Sequence, residues 1–193
     1  RIIDVRQKAN KILAWPRKSF SSVIYQNVMN GNITPYRNDS LISFYTPEEI
    51  SEIGVVKEDL QVQDMAFPDD PYATKDTTIV TPFDPEKVVK WKIMEDWIFD
   101  KKHSVFFARI IAISPLYKPR IGGVELPEAS MYWLKWNDCR PILVNTELFN
   151  RKNDAARISI DHFFEKRMFA SYIVKQSNEF DYEIKDFPEW KDD

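Results

Sequence analysis

Apolar residues recur along this chain with two different periods, and the change of period separates predicted helices from predicted strands. In residues 2–14 the apolar side chains follow the spacing of an amphipathic helix, which Pro16 ends. A second helical stripe begins at Phe20, behind the candidate cap Ser19, and stops at the turn residues 30–32. The pattern therefore predicts two consecutive helices at the start of the chain.

The residues TPEE at 46–49 are typical of a capped helix start. Thr46 can cap the first turn, Pro47 suits the first helical position, and Glu49 completes a capping box. Gly54 predicts the end of this short helix, because glycine is common just after a helix.

A change of composition divides the chain into predicted parts. Residues 61–78 are polar and contain proline without a clear period, so they are predicted to be a linker loop. This loop would join an N-terminal helical lobe, residues 1–60, to an α+β core over residues 79–178. Residues 179–193 are acidic and are predicted to be a loosely held tail. We expect these parts to form one compact unit.

Within the core, β-branched and aromatic residues predict two antiparallel hairpins. The first joins residues 92–99 to residues 104–114, and the second joins residues 131–136 to residues 140–144. Pro141 would then lie on an edge strand or at a strand start, where its missing N–H is tolerated.

The longest helical pattern covers residues 153–175, with Asn153 as its candidate cap. Together with the hairpins it predicts an α+β fold in which helices cover antiparallel hairpins. Hydrophobic residues make up 44% of the 193 positions, which is enough for one buried core and argues against wholesale disorder.

Charge and cysteine content exclude several functional classes. A net charge of −3 without a long basic run lacks the footprint of a nucleic-acid binder. The single cysteine, Cys139, cannot form an internal disulfide or a cysteine-rich zinc site, and we interpret it as a structural thiol. No apolar run approaches the roughly 20 residues of a membrane-spanning helix, so we expect no direct membrane insertion. The chain begins with Arg1, so we expect a processed piece from which any signal peptide is already gone.

The stretch EDWIFDKKHSVFFARIIAISP, residues 95–115, holds the sharpest candidate chemistry. Glu95 or Asp96 with Asp100, beside His103, could serve a hydrolase or a carbohydrate-binding protein, because paired carboxylates do glycosidase-type work. The competing interpretation is a charged hairpin in a scaffold. A four-residue turn from Asp100 to His103 explains its charges locally, since an aspartate in a turn accepts hydrogen bonds from nearby backbone amides.

The register of this hairpin favours the scaffold. A four-residue turn places Trp97 opposite Phe106 as a cross-strand aromatic pair. The neighbours Glu95 and Asp96 then lie on opposite faces and cannot act together on one substrate. Asp96 lies diagonal to Arg109, which predicts a structural ion pair, and Glu95 is left without a partner.

Metal and docking signals are weaker. Asp161 and Glu165 lie one helical turn apart with His162 between them, a pattern that can hold a metal but is common on solvated helix faces. The basic pair Lys166 and Arg167 could steer a partner as rim charges. Four glycines leave no glycine-rich phosphate loop. Six tryptophans suggest an interaction surface, because tryptophan is enriched in interface hot spots.

Five blocks of sequence carry a resemblance to a known family. They are RIIDVRQKANKILAWP at 1–16, YQNVMNGNITPY at 25–36, EDWIFDKKHSVFFARIIAISP at 95–115, RPILVNTELFNRKNDAA at 140–156 and FFEKRMFASYIVKQSN at 163–178. Together they resemble the GldN/PorN family of the gliding motility and type IX secretion apparatus of Bacteroidetes. No block is a catalytic motif, but their combined order is specific. The chain departs from the family in carrying Ala112 where a glycine is expected, and in an individual loop over residues 116–129.

The resemblance implies a non-enzymatic, periplasmic structural protein without a cofactor or a catalytic site. Family members associate peripherally with the outer membrane through a lipoprotein, GldK/PorK, with which they build a ring, and they meet the periplasmic part of the motor protein GldM/PorM. We therefore expect those two partners and self-association within a ring. The candidate partner-binding residues are Trp97, Phe106, Lys166 and Arg167. The alternative is the hydrolase or carbohydrate-binding protein considered above.

Overall fold

The computed structural model describes residues 1–15, 18–63, 74–121, 124–148 and 157–187. Four α-helices lie in these residues: α1 (Phe20–Met29), α2 (Pro47–Glu52), α3 (Trp136–Val144) and α4 (Ile160–Glu165). Short 3-10 helices cover Lys11–Ala14, Pro85–Lys87 and Ile184–Asp186. None of the helices in the described part of the chain has the length and apolar character needed to cross a membrane.

Most strands in the described residues are short, and the two longest lie at the centre of the fold. The strands are β1 (Ile2–Asp4), β2 (Pro35–Tyr36), β3 (Val56–Gln63), β4 (Thr74–Thr81), β5 (Lys90–Asp100), β6 (Val105–Tyr117), β7 (Arg120–Ile121), β8 (Val124–Glu125), β9 (Ala129–Ser130), β10 (Trp133–Lys135), β11 (Glu147–Leu148) and β12 (Ile158–Ser159). β5 and β6 are the longest.

One antiparallel sheet organises the molecule around the β5–β6 hairpin. Its strand order is β1–β5–β6–β10–β2, and β9 pairs with the end of β6. β3 with β4, β7 with β8, and β11 with β12 form separate two-stranded ladders. This mixture of helices and antiparallel strands confirms the predicted α+β class.

Buried aromatic rings join the helices to the sheet. The ring of Phe20 in α1 lies 4.5 Å from that of Trp91 in β5 and 5.3 Å from that of Phe164 in α4. Trp136, at the start of α3, lies 4.9 Å from Phe164. The buried indole N–H of Trp91 donates to Ser21 Oγ at 3.2 Å, so its polar group is satisfied. Residues from both ends of the chain therefore share one core.

Two of the capping predictions are confirmed. Ser19 caps α1, since its hydroxyl accepts from the backbone of the first turn. Thr46 and Glu49 form a complete capping box at the start of α2. Gly54 follows that helix with a φ of 80°, and a Cβ there would lie 2.5 Å from the ring of Phe83.

The helix predicted over residues 2–14 is wrong. The chain starts as strand β1, in which Ile3 is fully buried opposite Trp91, and only Lys11–Ala14 form a 3-10 helix. The apolar positions here satisfy either period, and the chance to pair with β5 and to bury Ile3 decides for the strand. Tertiary contacts override a weak local preference in this way.

A buried asparagine ties the beginning of the chain to its C-terminal part. Asn10 is fully buried, and its Nδ2 donates to the carbonyls of Asp4 and Ala170 at 2.8 Å each. Its Oδ1 accepts from the N–H of Ala170 at 2.9 Å. Ile2 and Tyr172 exchange two backbone hydrogen bonds alongside. The outer edge of β1 is thereby covered rather than left open.

The long helix predicted over residues 153–175 is also wrong. In the described residues it is reduced to the six-residue α4, which Ser159 caps. Arg167, with a φ of 50°, turns the chain out of the helix, and the backbone bonds to β1 then hold the following residues extended. The candidate cap Asn153 lies outside the described residues.

Two further predictions fail where local pattern is ambiguous. Residues 140–144 belong to α3 and not to a strand, and Pro141 lies inside that helix, where it removes one helical hydrogen bond. Residues 61–63 and 74–78, predicted as loop, belong to β3 and β4, which pair from Val56 to Gln63. Residues 64–73 lie outside the described part of the chain.

Replacing Asn10 by alanine should destabilise the fold. Asn10→Ala leaves the partly buried N–H of Ala170 and two carbonyls without their partner, which should cost about 2–3 kcal/mol of unfolding free energy. Equilibrium urea unfolding measures the change. Asn137→Ala is the matched control, because Asn137 is exposed in the first turn of α3, and it should stay within about 0.5 kcal/mol of the parent. Equal midpoints for both variants would contradict the role given to Asn10.

Cys139 should resist thiol reagents in the folded protein. Its side chain is fully buried on α3, and burial raises its pKa to about 12, so the reactive thiolate is scarce at neutral pH. Labelling with a chromogenic disulfide reagent should follow global unfolding in urea. Rapid labelling under native conditions would show that the α3 face opens on its own.

Candidate partner-binding hairpin

The β5–β6 hairpin extends beyond the rest of its sheet. β1 pairs with β5 only as far as Lys92, and β10 pairs with β6 only from Ala112 onward. Beyond these points the two strands pair only with each other, up to Asp100 opposite Val105. We call residues 95–110 the distal hairpin. Among the described residues no strand pairs with either of its outer edges.

A four-residue turn over residues 101–104 closes the hairpin. Asp100 Oδ1 accepts from the N–H of Lys102 at 2.8 Å, and Asp100 Oδ2 lies 2.6 Å from His103 Nδ1. The hydrogen bond from His103, followed by that from the Lys102 backbone, holds the pKa of Asp100 below its ordinary value. The turn has the predicted length but begins one residue later, and Asp100 and His103 serve as its local hydrogen-bonding pair.

This shift of the turn changes the cross-strand partners without changing the faces. Trp97 lies opposite Ala108 and not opposite Phe106, so the predicted Trp97–Phe106 pair is wrong. Phe106 instead contacts Phe99, with ring centroids 4.7 Å apart. Each partner moves by two positions along the strand, and a shift of two keeps every side chain on its predicted face.

The predicted ion pair between Asp96 and Arg109 is not formed. The two residues lie directly opposite each other, yet the ion pairs of the described residues do not include them. Both side chains are exposed, and water competes effectively with an exposed pair, which gains little from contact.

Glu95 is the buried charge of the hairpin, with a side chain only 3% exposed. Arg167 binds both carboxylate oxygens, at 2.9 Å to Oε1 and 3.3 Å to Oε2. Arg1 approaches from the other side, with its Nε 3.3 Å from Oε2. The carboxylate for which the sequence showed no partner therefore has two, and both come from distant parts of the chain.

Trp97 completes this arrangement. The guanidinium carbons of Arg1 and Arg167 lie 5.2 Å and 5.5 Å from the centre of the Trp97 ring. We call Arg1, Glu95, Trp97 and Arg167 the Glu95 cluster. Each cation–π contact contributes about 0.5–1 kcal/mol at such a partly exposed site. Two predicted partner contacts, Trp97 and Arg167, are thus brought together, and Arg167 is engaged within the molecule.

A β-bulge lies at the base of the distal hairpin. Met94 pairs with Ala112 and Glu95 pairs with Ile110, so Ile111 is an extra residue in β6. A bulge bends its strand and increases the local twist. Ala112, at the position where the family resemblance leads us to expect glycine, is fully buried beside the bulge and begins the part of β6 that belongs to the core.

The distal hairpin exposes apolar side chains on both faces. The exposed large side chains are Trp97, Ile98, Phe99, Val105, Phe106 and Phe107. In the core part of β5, by contrast, Trp91 and Ile93 are buried. Large apolar side chains exposed as a group are typical of surfaces that another molecule covers, which makes the distal hairpin a candidate contact.

A groove of about 350 Å³ runs beside the β6 edge of the distal hairpin. Residues 107–110 form one wall, and Trp136, Phe164 and residues 165–167 are among those that form the other. Lys166, the fourth predicted partner contact, therefore lies on the rim of this groove, across from the hairpin.

The comparison with protein families identifies the chain's relatives. A model described as "Gliding motility associated protein GldN" matches residues 1–193, the whole chain. The chain belongs to this family. No curated protein sequence matches it. The family match confirms the resemblance carried by the five sequence blocks, and it makes the chain a component associated with gliding motility.

In this member of the GldN family the candidate acids of a hydrolase are not brought together. Glu95 is buried with both oxygens bound by Arg167, whereas Asp100 ends β5 on the other face of the strand. The spacing of 95 and 100 along a strand places them on opposite faces. Neither of the two pockets beside the hairpin is lined by both Glu95 and Asp100.

The candidate metal ligands of the same GldN chain are held by an arginine. Asp161 is buried, and its two oxygens accept from Arg140 Nε and a terminal nitrogen at 2.9 Å each. Glu165 pairs with the same guanidinium, and His162 is exposed. The described residues contain no group of three histidine, cysteine or acidic side chains placed to hold a metal ion.

Neutralising Glu95 should destabilise the protein, whereas neutralising its neighbour should not. Glu95→Gln leaves two partly buried guanidinium groups without a counter-charge, and because these keep 21% and 31% of their exposure the loss should be about 2–3 kcal/mol. Asp96→Asn is the matched control on the opposite face and should change stability by less than about 0.5 kcal/mol. Urea unfolding of both variants compares them. Similar losses would show that the Glu95 cluster is not structural.

Proposed function

We propose that this GldN-family chain is a non-enzymatic structural subunit of the type IX secretion and gliding motility apparatus. In this proposal it works in the periplasm, peripherally attached to the outer membrane by a GldK/PorK-like lipoprotein. Copies of the chain associate with one another in a ring that contains the lipoprotein. The ring also meets the periplasmic part of a GldM/PorM-like motor protein.

The observation that carries the proposal is the exposed apolar hairpin in a chain that matches the family over its whole length. Aromatic side chains exposed as a group stabilise a protein only when a partner covers them. The distal hairpin therefore supports a role in assembly, and the buried, ion-paired Glu95 gives a hydrolase no free carboxylate at this position.

The Glu95 cluster supports a role in assembly because it holds the base of the distal hairpin rigidly. It joins the base of the hairpin to the first residue of the described chain and to the segment after α4. A hairpin held in this way pays less conformational entropy when a partner binds. Lys166 is exposed on the groove rim, where a charge steers a partner more than it adds affinity.

A binding experiment with matched phenylalanine variants tests the proposal. Phe106 is 69% exposed on the hairpin and Phe180 is 67% exposed elsewhere, so the two side chains offer equal apolar area to a partner. Phe106→Ala should weaken binding to the purified soluble part of the lipoprotein at least tenfold, or about 1.4 kcal/mol, and Phe180→Ala should leave it unchanged. Biolayer interferometry measures the affinities.

Mass measurement of the purified complex provides the second readout. A chain that stays alone in the presence of the lipoprotein contradicts the proposed function. Equal binding by both phenylalanine variants contradicts the assignment of the contact to the distal hairpin, while leaving the lipoprotein partnership intact.

A further inference from the structure

The groove beside the β6 edge of the distal hairpin is open at its rim and aromatic inside. The buried rings of Trp136 and Phe164 line its inner part. The side chains at its rim are exposed, and they are Phe107, Arg109, Asn137, Glu165 and Lys166. A volume of about 350 Å³ lies in the range of clefts that bind a small ligand. The groove therefore has room for one aromatic side chain of a partner.

Positive charge dominates this groove. Four of the side chains that line it are cations and one is a carboxylate, namely Arg109, Arg140, Lys166, Arg167 and Glu165. The chain as a whole has a net charge of −3, so the groove reverses the sign locally. A local excess of one charge attracts a partner surface of the opposite sign.

Two of these cations are neutralised within the molecule, and two are not. Arg140 and Arg167 bind carboxylates of α4 and β5. Arg109 and Lys166 take part in no ion pair among the described residues. Asp96 lies across the ladder from Arg109, but it lines the pocket on the β5 side of the hairpin. The two exposed cations can therefore meet carboxylates of another molecule without giving up a partner.

An exposed turn near the end of the described chain has the complementary charge. We call residues 178–182, with the sequence NEFDY, the acidic turn. The exposed fraction is 67% for Phe180 and 85% for the side chain of Asp181, and Glu179 is exposed as well. Residues 179–193 include seven acidic residues and two lysines, so the turn begins an acidic stretch of the chain.

Asn178 fixes the shape of the acidic turn. Its Oδ1 accepts from the N–H groups of Phe180 and Tyr182 at 3.1 Å and 2.9 Å. Its Nδ2 donates to the carbonyls of Gln176 and Tyr182 at 2.8 Å and 2.9 Å. The rings of Phe180 and Tyr182 stack with their centroids 5.6 Å apart. A turn that is ordered in this way loses little conformational entropy when it binds.

The groove is not filled by the acidic turn of its own chain. None of residues 178–182 lines it, and the nearby residues 175–177 line the pocket on the β5 side instead. Asp181 forms an ion pair with Lys175, and Glu179 forms none among the described residues. Turn and groove are thus both free for a second molecule.

We propose that the acidic turn of one copy of this chain binds the groove of the next copy. Phe180 packs against the aromatic rings inside the groove, and the carboxylates on either side of it meet Arg109 and Lys166. Aromatic anchors and arginines are enriched in the hot spots of protein interfaces. The inference rests on the self-association in the proposed function and names the surfaces that carry it. Because turn and groove are different surfaces, the contact is heterologous, and association continues head to tail beyond a dimer.

Charge reversal on either side tests the contact. Lys166→Glu reverses a cation of the groove, and Glu179→Lys reverses a carboxylate of the acidic turn. The double variant carries both changes, so each copy again offers the next a pair of opposite sign. Lys8→Glu and Glu52→Lys are the matched controls, because both positions are exposed elsewhere and the changes in net charge are the same.

Sedimentation velocity of the full chain over a range of concentrations measures self-association. The parent and both controls should form a concentration-dependent series beyond the dimer. Each single reversal should lower the association constant about tenfold, because an attraction becomes a repulsion. The double variant should recover part of the loss and associate at least about threefold more strongly than either single variant. Raising NaCl from about 0.05 M to about 0.5 M should weaken association of the parent, because salt screens exposed charges.

Two phenylalanines of equal exposure separate this contact from the lipoprotein contact. Phe180 lies in the acidic turn, whereas Phe106 does not line the groove. Phe180→Ala should lower the self-association constant about tenfold, because an aromatic anchor carries much of the energy of a contact. Phe106→Ala should leave self-association unchanged. The order of effects is opposite to that expected for lipoprotein binding.

A parent that is monomeric at its highest soluble concentration overturns the inference. So do single reversals that associate as the parent does, and a double variant that associates no better than either single variant. Circular dichroism and urea unfolding check the fold of each variant, and Arg109→Glu replaces Lys166→Glu if the latter unfolds. Lipoprotein binding by the parent is measured in parallel. Binding by a monomeric parent refutes the contact between turn and groove alone, whereas self-association without binding refutes the lipoprotein partnership alone.

Discussion

The burial of Glu95 is the constraint on which the arrangement of the chain depends. A carboxylate at the edge of an apolar core is costly unless it is paired, and this one forms ion pairs with Arg1 and Arg167, of which Arg167 also donates hydrogen bonds to both oxygens. Residue 1 and the segment after α4 must therefore come to the same point on β5. Asn10 imposes the same requirement on the backbone, because two of its three hydrogen bonds join the turn after β1 to Ala170.

Anchoring at the base lets the distal hairpin stand apart from the core. An isolated two-stranded hairpin is only marginally stable in water, so a ribbon that carries exposed aromatic rings needs support from elsewhere. The Glu95 cluster provides it on one side, and the bulge at Ile111 separates the buried part of β6 from the exposed part. The core residues and the interaction surface thus occupy the same two strands but opposite ends of them.

Features set by residues close together in the sequence were predicted correctly, whereas contacts between distant residues could not be predicted. The cap of Thr46 depends on residues three positions away, and the hairpin faces depend only on strand alternation, so both followed from the sequence. The partner of Glu95 lies 72 residues along the chain, and no pattern connects the two. The helices predicted over 2–14 and 153–175 failed because pairing between distant segments outweighs local preference: residues 2–4 pair with β5, and Tyr172 pairs with Ile2 after the turn at Arg167.

The Glu95 cluster also limits what can cover the hairpin. It holds two positive charges and one negative charge, and Trp97 between them is still 55% exposed. Covering the ring removes water and strengthens each cation–π contact toward about 2 kcal/mol. The same removal of water raises the cost of the excess positive charge. A molecule that covers Trp97 must therefore bring a carboxylate to the cluster or leave one guanidinium in contact with water.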